Sequence, residues 1–223
     1  MRAAGPRHMP DARGYVLAGG QASRMGRDKA FVEFAGRPLI AHALAALQQA
    51  GLPAAIAGAT PSACAGLAVF APVIPDASPG LGPLSGICAA LAADAARQAV
   101  FLPVDLPLLP PSLLVLLLHY AQITGGAVVA PSLSGFTQTF PAVIDRAALP
   151  ALRSELQSGR CGCYSAFRAA AHALGQQFHS VAVESLVQAG QLSHPRSLPP
   201  PHWFLNLNTP ADLARAEAIQ SRR

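Results

Sequence analysis

An α/β fold, with a mostly parallel sheet covered by helices on both faces, is what this sequence predicts. Three observations carry the prediction. Short apolar runs alternate along the chain with longer segments of helical period. The runs GYVLAG (14–19) and AVFLPVD (99–105) read as strands buried on both faces. Each run also ends in chemistry: the first in two glycines, Gly19 and Gly20, the second in a carboxylate, Asp105. In sheets of this kind ligands gather at the C-terminal ends of the strands, so the two ends are expected to converge.

The elements follow in order. PLIAHALAALQQAG (38–51) reads as a helix, with Pro38 in its first turn, Gly51 at its stop, and Leu39, Ala43, Leu44 and Leu47 on one face. PAAIAG (53–58) and LAVFAPVI (67–74) are strand candidates, and GPLSGICAALAADAARQ (82–98) is a helix with a glycine-rich entrance. PSLLVLLLHYAQ (111–122) is a helix and GAVVAPS (126–132) a strand. TFPAVID (139–145) is a strand that Pro141 would confine to an edge or distort. ALPALRSELQSG (148–159) is a helix closed by Gly159. FLNLNTPADLARAEAI (204–219) reads as a strand and then a helix, whose start has Thr209 before Pro210 and Asp212 three positions beyond Thr209, as in a capping box. Residues 1–13 are expected to be a disordered tail, 14–220 a single domain, and the proline-rich stretch 184–202 a surface loop.

Composition removes several functions. The chain of 223 residues is 52% hydrophobic and only 12% charged, but alanine supplies much of that apolarity. The uninterrupted run 113–118 is far short of the roughly 20 residues that span a bilayer. No membrane association is expected, and the N-terminus shows no apolar core of a secretory signal. The formal charge of +5 suits an anionic small ligand. The basic residues are scattered and aromatics few, so nucleic acid is not an expected partner. Cys64, Cys88, Cys161 and Cys163 form no C-x-x-C pair, and reduced thiols in a cytoplasmic protein are expected. Cys161 and Cys163, as CGC, could in principle bind a soft metal.

The most informative stretch is LAGGQASRMGRDKA (17–30). Adjacent glycines after a buried strand gather backbone N–H groups, and Arg24, Arg27 and Lys29 add positive charge, which together describe a phosphate cradle. The spacing matches neither G-x-x-x-x-G-K-[ST] nor G-x-G-x-x-G, and GLGPLSG (80–86) also misses the second pattern.

With those residues in view, the chain resembles the molybdenum cofactor guanylyltransferase (MobA) family. LAGGQASRMGRDK is similar to that family's L-A-G-G, R-M-G, D-K signature. PDASPGLGPLSGI, FLPVDLPLL, FTQTFPAVID and FLNLNTPADL follow in the family's order, from Gly14 to Leu213. The resemblance implies a Rossmann-like three-layer α/β/α nucleotidyltransferase fold. It implies transfer of GMP from GTP to the phosphate of a molybdopterin-type molybdenum cofactor, with Mg²⁺ and release of pyrophosphate.

Carried over residue by residue, the resemblance puts Leu17, Ala18, Gly19 and Gly20 against the nucleotide, Arg24 and Lys29 on its phosphates, Asp76 near the guanine nucleotide, and Asp105 on Mg²⁺. Gln138, Asn206 and Asn208 fall on the acceptor side. The partners it implies are GTP, molybdopterin and the molybdoenzymes or delivery proteins that take the product. The family's second strand often ends in an Asn; here Ala54–Ala59 offers none. Two other readings stay open: CMP transfer from CTP to the same acceptor, disfavoured by LAGG and VDLP, and a nucleotide-binding module without catalysis. Each site residue also has a structural reading. Asp105 could cap a helix starting at Pro107, Asp76 could brace its loop, and Asn208 could serve a helix start.

Overall fold

The computed structural model describes residues 11–18 and 28–221. Gly19, Gly20, Arg24 and Arg27, and most of the expected N-terminal tail, lie outside them. The strands are β1 (Ala12–Leu17), β2 (Glu33–Phe34), β3 (Arg37–Pro38), β4 (Ala54–Ala59), β5 (Val73–Pro75), β6 (Gln98–Pro103), β7 (Val128–Leu133), β8 (Phe136–Thr137), β9 (Ala142–Asp145) and β10 (Phe178–Ala182). The helices are α1 (Leu39–Gln49), α2 (Pro61–Leu67), α3 (Pro83–Ala93), α4 (Pro111–Thr124), α5 (Leu149–Gln157), α6 (Cys163–Ala173), α7 (Val183–Gln188), α8 (Pro200–Trp203) and α9 (Pro210–Ser221).

The main sheet runs β10-β7-β9-β6-β1-β4-β5, with β8 hydrogen-bonded to β7. β1 pairs in parallel with both β4 and β6, β4 with β5, and β10 with β7. Along this path β9 is the antiparallel member. Strand alternation then builds two cores. Val16, Ile56, Val100, Leu102 and Val143 face one layer, with α1, α4 and the C-terminal helices. Tyr15, Leu17, Ala55, Ala57, Phe101 and Ile144 face the other, with α3, α5 and α6. Both faces being covered explains why β1 and β6 read as continuous apolar runs. The three-layer α/β/α expectation is therefore met.

Several boundaries differ from the sequence reading. The first strand begins at Ala12, before the expected Gly14. In the candidate strand 67–74 only the end is extended: Pro61–Leu67 is helical, with Pro61 in the first turn where its missing N–H is harmless. β9 is an interior strand, because Pro141 lies before its first residue and the ladder never needs a proline N–H. Residues 204–208 are not a strand. Leu207 N donates to Asp105 O at 3.0 Å, tying the segment to a loop rather than to a strand edge.

The stretch 184–202 is not a plain surface loop either. It contains most of α7 and the start of α8. Leu192 and Trp203 are buried in the core, and Trp203 Nε1 donates to Leu198 O at 2.7 Å. Two large apolar groups overrode the proline content, because burying them stabilises by about 1.5–3 kcal/mol each. α6 and β10 had no counterpart in the sequence reading.

One close approach sets the sheet against α3. A Cβ on Gly86 would stand 2.6 Å from Gly58 Cα and 2.9 Å from Gly58 N. Gly58 itself has φ +75°. Glycine at both positions lets the first turn of α3 lie directly on the end of β4.

Candidate nucleotide-binding and catalytic site

The C-terminal ends of β1, β4, β5 and β6 line one edge of the sheet. At the β1–β6 boundary Leu17 is in register with Pro103, and Val104 N donates to Leu17 O at 3.3 Å. Asp105 is thus held two residues past the end of β6, beside the end of β1. Val104, Leu106, Leu108 and Leu109 around it are all buried, so the loop has little freedom. The next helix starts at Pro111 with Pro110 before it and no side-chain cap, which removes the helix-capping reading of Asp105.

Lys29 reaches this carboxylate from the opposite direction. It opens a short 3-10 helix, Lys29–Phe31, whose preceding residue Asp28 accepts from Ala30 N at 3.0 Å. Ala30 is fully buried, which anchors the turn and leaves Lys29 directed at the edge of the sheet. Lys29 Nζ donates to Asp105 Oδ2 at 2.9 Å, and also to Asn208 Oδ1. The side chains of Lys29 and Asp105 keep only 23% and 16% of their exposure, so the pair is partly shielded from water.

Asn208 is brought there by the segment that fails to be a strand. The expected capping box does form: Asp212 Oδ2 accepts from Asn208 N at 3.1 Å, from Thr209 N at 2.8 Å and from Thr209 Oγ1 at 2.8 Å. Thr209 Oγ1 in turn accepts from Asp212 N at 3.2 Å. Asn208 therefore has a helix-start role in its backbone and a site role in its side chain. The hydrogen bond from its sister, Asn206 Nδ2, goes to Phe204 O at 3.4 Å, within its own loop.

The second oxygen of Asp105 is the telling atom. Oδ1 is buried and has no hydrogen-bond partner among the described residues. Leaving a buried acceptor in this state costs about 1–3 kcal/mol, more if charged. A hard cation would remove the penalty, and Mg²⁺ suits the donor set, since it takes one or two carboxylates and completes its shell with phosphate oxygens and water. Among the described residues no group of three or more His, Cys, Asp and Glu side chains could hold a metal by itself. A cation at Asp105 would thus depend on its substrate for ligands.

At the other end of the edge, Asp76 N donates to Ala59 O at 3.1 Å, which puts Asp76 just beyond β4 and β5. Its Oδ1 accepts from Ser78 N at 3.0 Å and from the Ser85 hydroxyl in the first turn of α3. The loop-bracing reading of Asp76 is correct as geometry. Ser85 was missed in the sequence, where it is an unmarked position inside GPLSG. Gln138 N donates to Pro131 O at 2.8 Å and its Nε2 to Phe136 O at 3.1 Å, beside the start of β9. It lies near the same sheet edge, but no hydrogen bond joins it to Lys29 or Asp105. Ala18 N donates to Ala57 O at 3.1 Å and Leu17 O accepts from Val104, so these backbone groups serve the sheet.

The cysteines stay out of the site. Burial pushes the Cys88 thiol up to about 11 and Cys163 up to about 12, so both remain protonated and offer no thiolate. All four cysteines are free. Among the described residues no helix is long and apolar enough to cross a membrane.

Comparison with known proteins agrees with this fold. The family model described as MobA-like NTP transferase domain matches residues 14–177. A molybdenum cofactor guanylyltransferase of Rhizobium meliloti is 30% identical over 222 residues, which cover 96% of this chain and 94% of that protein. One of Xanthomonas euvesicatoria is 43% identical over 110 residues, where the match spans about half of each chain: 49% of this one and 54% of the relative. Among solved structures, molybdopterin-guanine dinucleotide biosynthesis protein A of Archaeoglobus fulgidus is similar in fold, with TM-score 0.76 at 24% identity over 95% of this chain and 100% of that one. With the family model spanning most of its length and a relative matching it nearly end to end, this chain belongs to the MobA-like NTP transferase family.

Proposed function

We propose that this protein transfers GMP from GTP to the phosphate of a molybdopterin-type molybdenum cofactor, releasing pyrophosphate, with Mg²⁺ held at Asp105. Family membership makes the chain a nucleotidyltransferase; the donor base, the acceptor and the metal are the proposal. The observation that carries it is the buried, unpartnered Oδ1 of Asp105 beside Lys29, at the ends of the parallel strands.

In this reading an acceptor phosphate oxygen bonds to the α-phosphorus of GTP, and the bond from that phosphorus to the bridging oxygen breaks. No protein base is required, because a phosphate monoester has its second pKa at about 6 and arrives ionised. The charge that builds on the leaving pyrophosphate needs a fixed cation. Lys29 supplies one, held in place by Asp105 and Asn208 and needing little reorganisation. Mg²⁺, when bound, would add Lewis-acid and templating chemistry worth several kcal/mol. Arg24, Gly19 and Gly20, assigned to phosphate and nucleotide contact by resemblance, lie outside the described residues. Asp76 would meet the nucleotide on the donor side, and Gln138 and Asn206 the acceptor. The partners proposed with this activity are GTP, molybdopterin and the molybdoenzymes that receive the product, in the cytoplasm.

The test is pyrophosphate release from each of the four NTPs with Mg²⁺ and molybdopterin. Release dependent on GTP and on the acceptor is the expected result. Release with CTP alone overturns the guanylyl assignment, and nucleotide binding without release overturns the catalytic one.

A further inference from the structure

The nucleotide end of the sheet edge contains a device that the phosphate end lacks. Ser85 is 1% exposed, and a hydroxyl so buried needs a partner. It finds Asp76 Oδ1, the same oxygen that accepts from Ser78 N at 3.0 Å. Asp76 is itself tied by its N–H to Ala59 O. The loop between them has Gly80 and Gly82 both at positive φ and is closed by Leu81 N donating to Ser78 O at 3.4 Å and Ser85 N to Gly82 O at 3.3 Å. The helix turn that carries Ser85 cannot drift, because the next residue, Gly86, lies directly on Gly58 of β4.

We propose that Ser85 is a positioning residue for nucleotide binding: its hydroxyl fixes the rotamer of Asp76, so that one carboxylate oxygen braces the loop and the other is held toward the donor nucleotide. Guanine offers two N–H donors on its Watson–Crick edge and ribose offers hydroxyls, and an oriented carboxylate oxygen is a matching acceptor for either. The inference rests on the proposed role of Asp76 as a nucleotide contact. It assigns to Ser85 no contact with substrate and no part in the phosphate chemistry at Lys29 and Asp105.

The experiment compares wild type, Ser85→Ala and Ser85→Thr by calorimetric binding of GTP and of tripolyphosphate, with kcat measured separately. In Ser85→Ala the Kd for GTP should rise about tenfold, as loss of one hydrogen bond to a charged group allows. The Kd for tripolyphosphate and kcat should stay within about twofold. Ser85→Thr, which keeps the hydroxyl, should recover GTP affinity. On an Asp76→Asn background the effect of Ser85→Ala should shrink, because the two residues act as one unit. Unchanged GTP affinity in Ser85→Ala overturns the proposal, and so does equal weakening of GTP and tripolyphosphate, which a merely structural role would produce. If the wild-type enzyme uses another NTP as donor, the guanylyl reading fails. The same binding comparison, made with that NTP, then decides the role of Ser85.

Discussion

Two carboxylates stand at the same edge of the sheet, and the chain treats them in opposite ways. Asp76 has one oxygen closed off by two donors, Ser78 N and the Ser85 hydroxyl. Asp105 has one oxygen on Lys29 and the other buried with no partner among the described residues. A carboxylate whose hydrogen bonds come from its own loop is a structural anchor that can present its remaining oxygen to a ligand. A carboxylate kept partly unsatisfied in a buried place stores a demand that a cation can meet. Position at a strand end does not separate the two, since β5 and β6 both lead into the edge. What separates them is what surrounds the side chain.

The largest test of this contrast is Asp105→Ala. Pyrophosphate release should fall by about a thousandfold or more while the far-ultraviolet circular dichroism is retained, since the proposed metal ligand and the anchor of Lys29 are lost together. Turnover near wild type would remove Asp105 from the catalytic end. Lys29→Ala comes next. It should lower kcat by about a hundredfold and weaken GTP more than GMP, because in the proposed reading the lost cation serves the outer phosphates. Equal weakening of the two nucleotides would move Lys29 away from them.

Gly86→Ala strikes the anchored end instead. Its Cβ meets backbone at 2.6 Å, so α3 must shift, which should destabilise the fold by about 1–3 kcal/mol in a denaturant titration. The shift would also weaken GTP binding by disturbing Ser85. A melt identical to wild type would show that α3 does not bear on β4 as described.

The smallest effect concerns acid. His194 Nε2 bonds Leu108 O at 3.1 Å, near the Asp105 loop, and its Nδ1 accepts from Arg196 N at 3.0 Å. An accepting Nδ1 requires the neutral ring. Burial lowers its pKa from the ordinary histidine value, with Arg196 adding to the effect and the Leu108 bond opposing it. The sign follows: the contribution is complete above the ordinary histidine value and is lost as the pH falls through the lowered one. Amide protection factors, taken relative to the intrinsic exchange rate at each pH, should therefore fall around Leu108 and Arg196 on acidification toward pH 5, and not around Ser78 and Ser85. An equal fall at both ends would remove His194 as the cause.

Much of this contrast was legible before any coordinates. Lys29, Asp105 and Asn208 were all marked by the chain's own punctuation: a cation after a glycine turn, a carboxylate ending an apolar run, an Asn before Thr-Pro. Each marker reflects local chemistry that needs no knowledge of the rest of the fold. The same local signals point the wrong way at 204–208. An apolar alternation there has the period of a strand, yet Leu207 N donates to the Asp105 loop. Likewise prolines suggested a loop at 184–202, while Trp203 and Leu192 found places in the core. The helix Cys163–Ala173 and the strand Phe178–Ala182 carry no side-chain capping signal that marks them in the sequence, where Cys163 reads only as part of CGC.

Read by itself, the amino-acid order determined the layered α/β class and the strand ends at which Lys29, Asp105 and Asp76 stand. Those follow from periodicity and from short-range conformational preference, which act within a few residues. Only the tertiary structure decided which carboxylate is braced and which is left wanting, that Asn208 would turn its carboxamide to Lys29, and that Ser85 would stand behind Asp76. These outcomes depend on distances between residues far apart in the chain. They are set by how helices settle on a twisted sheet, at places such as Gly86 on Gly58, where a single methyl group would not fit.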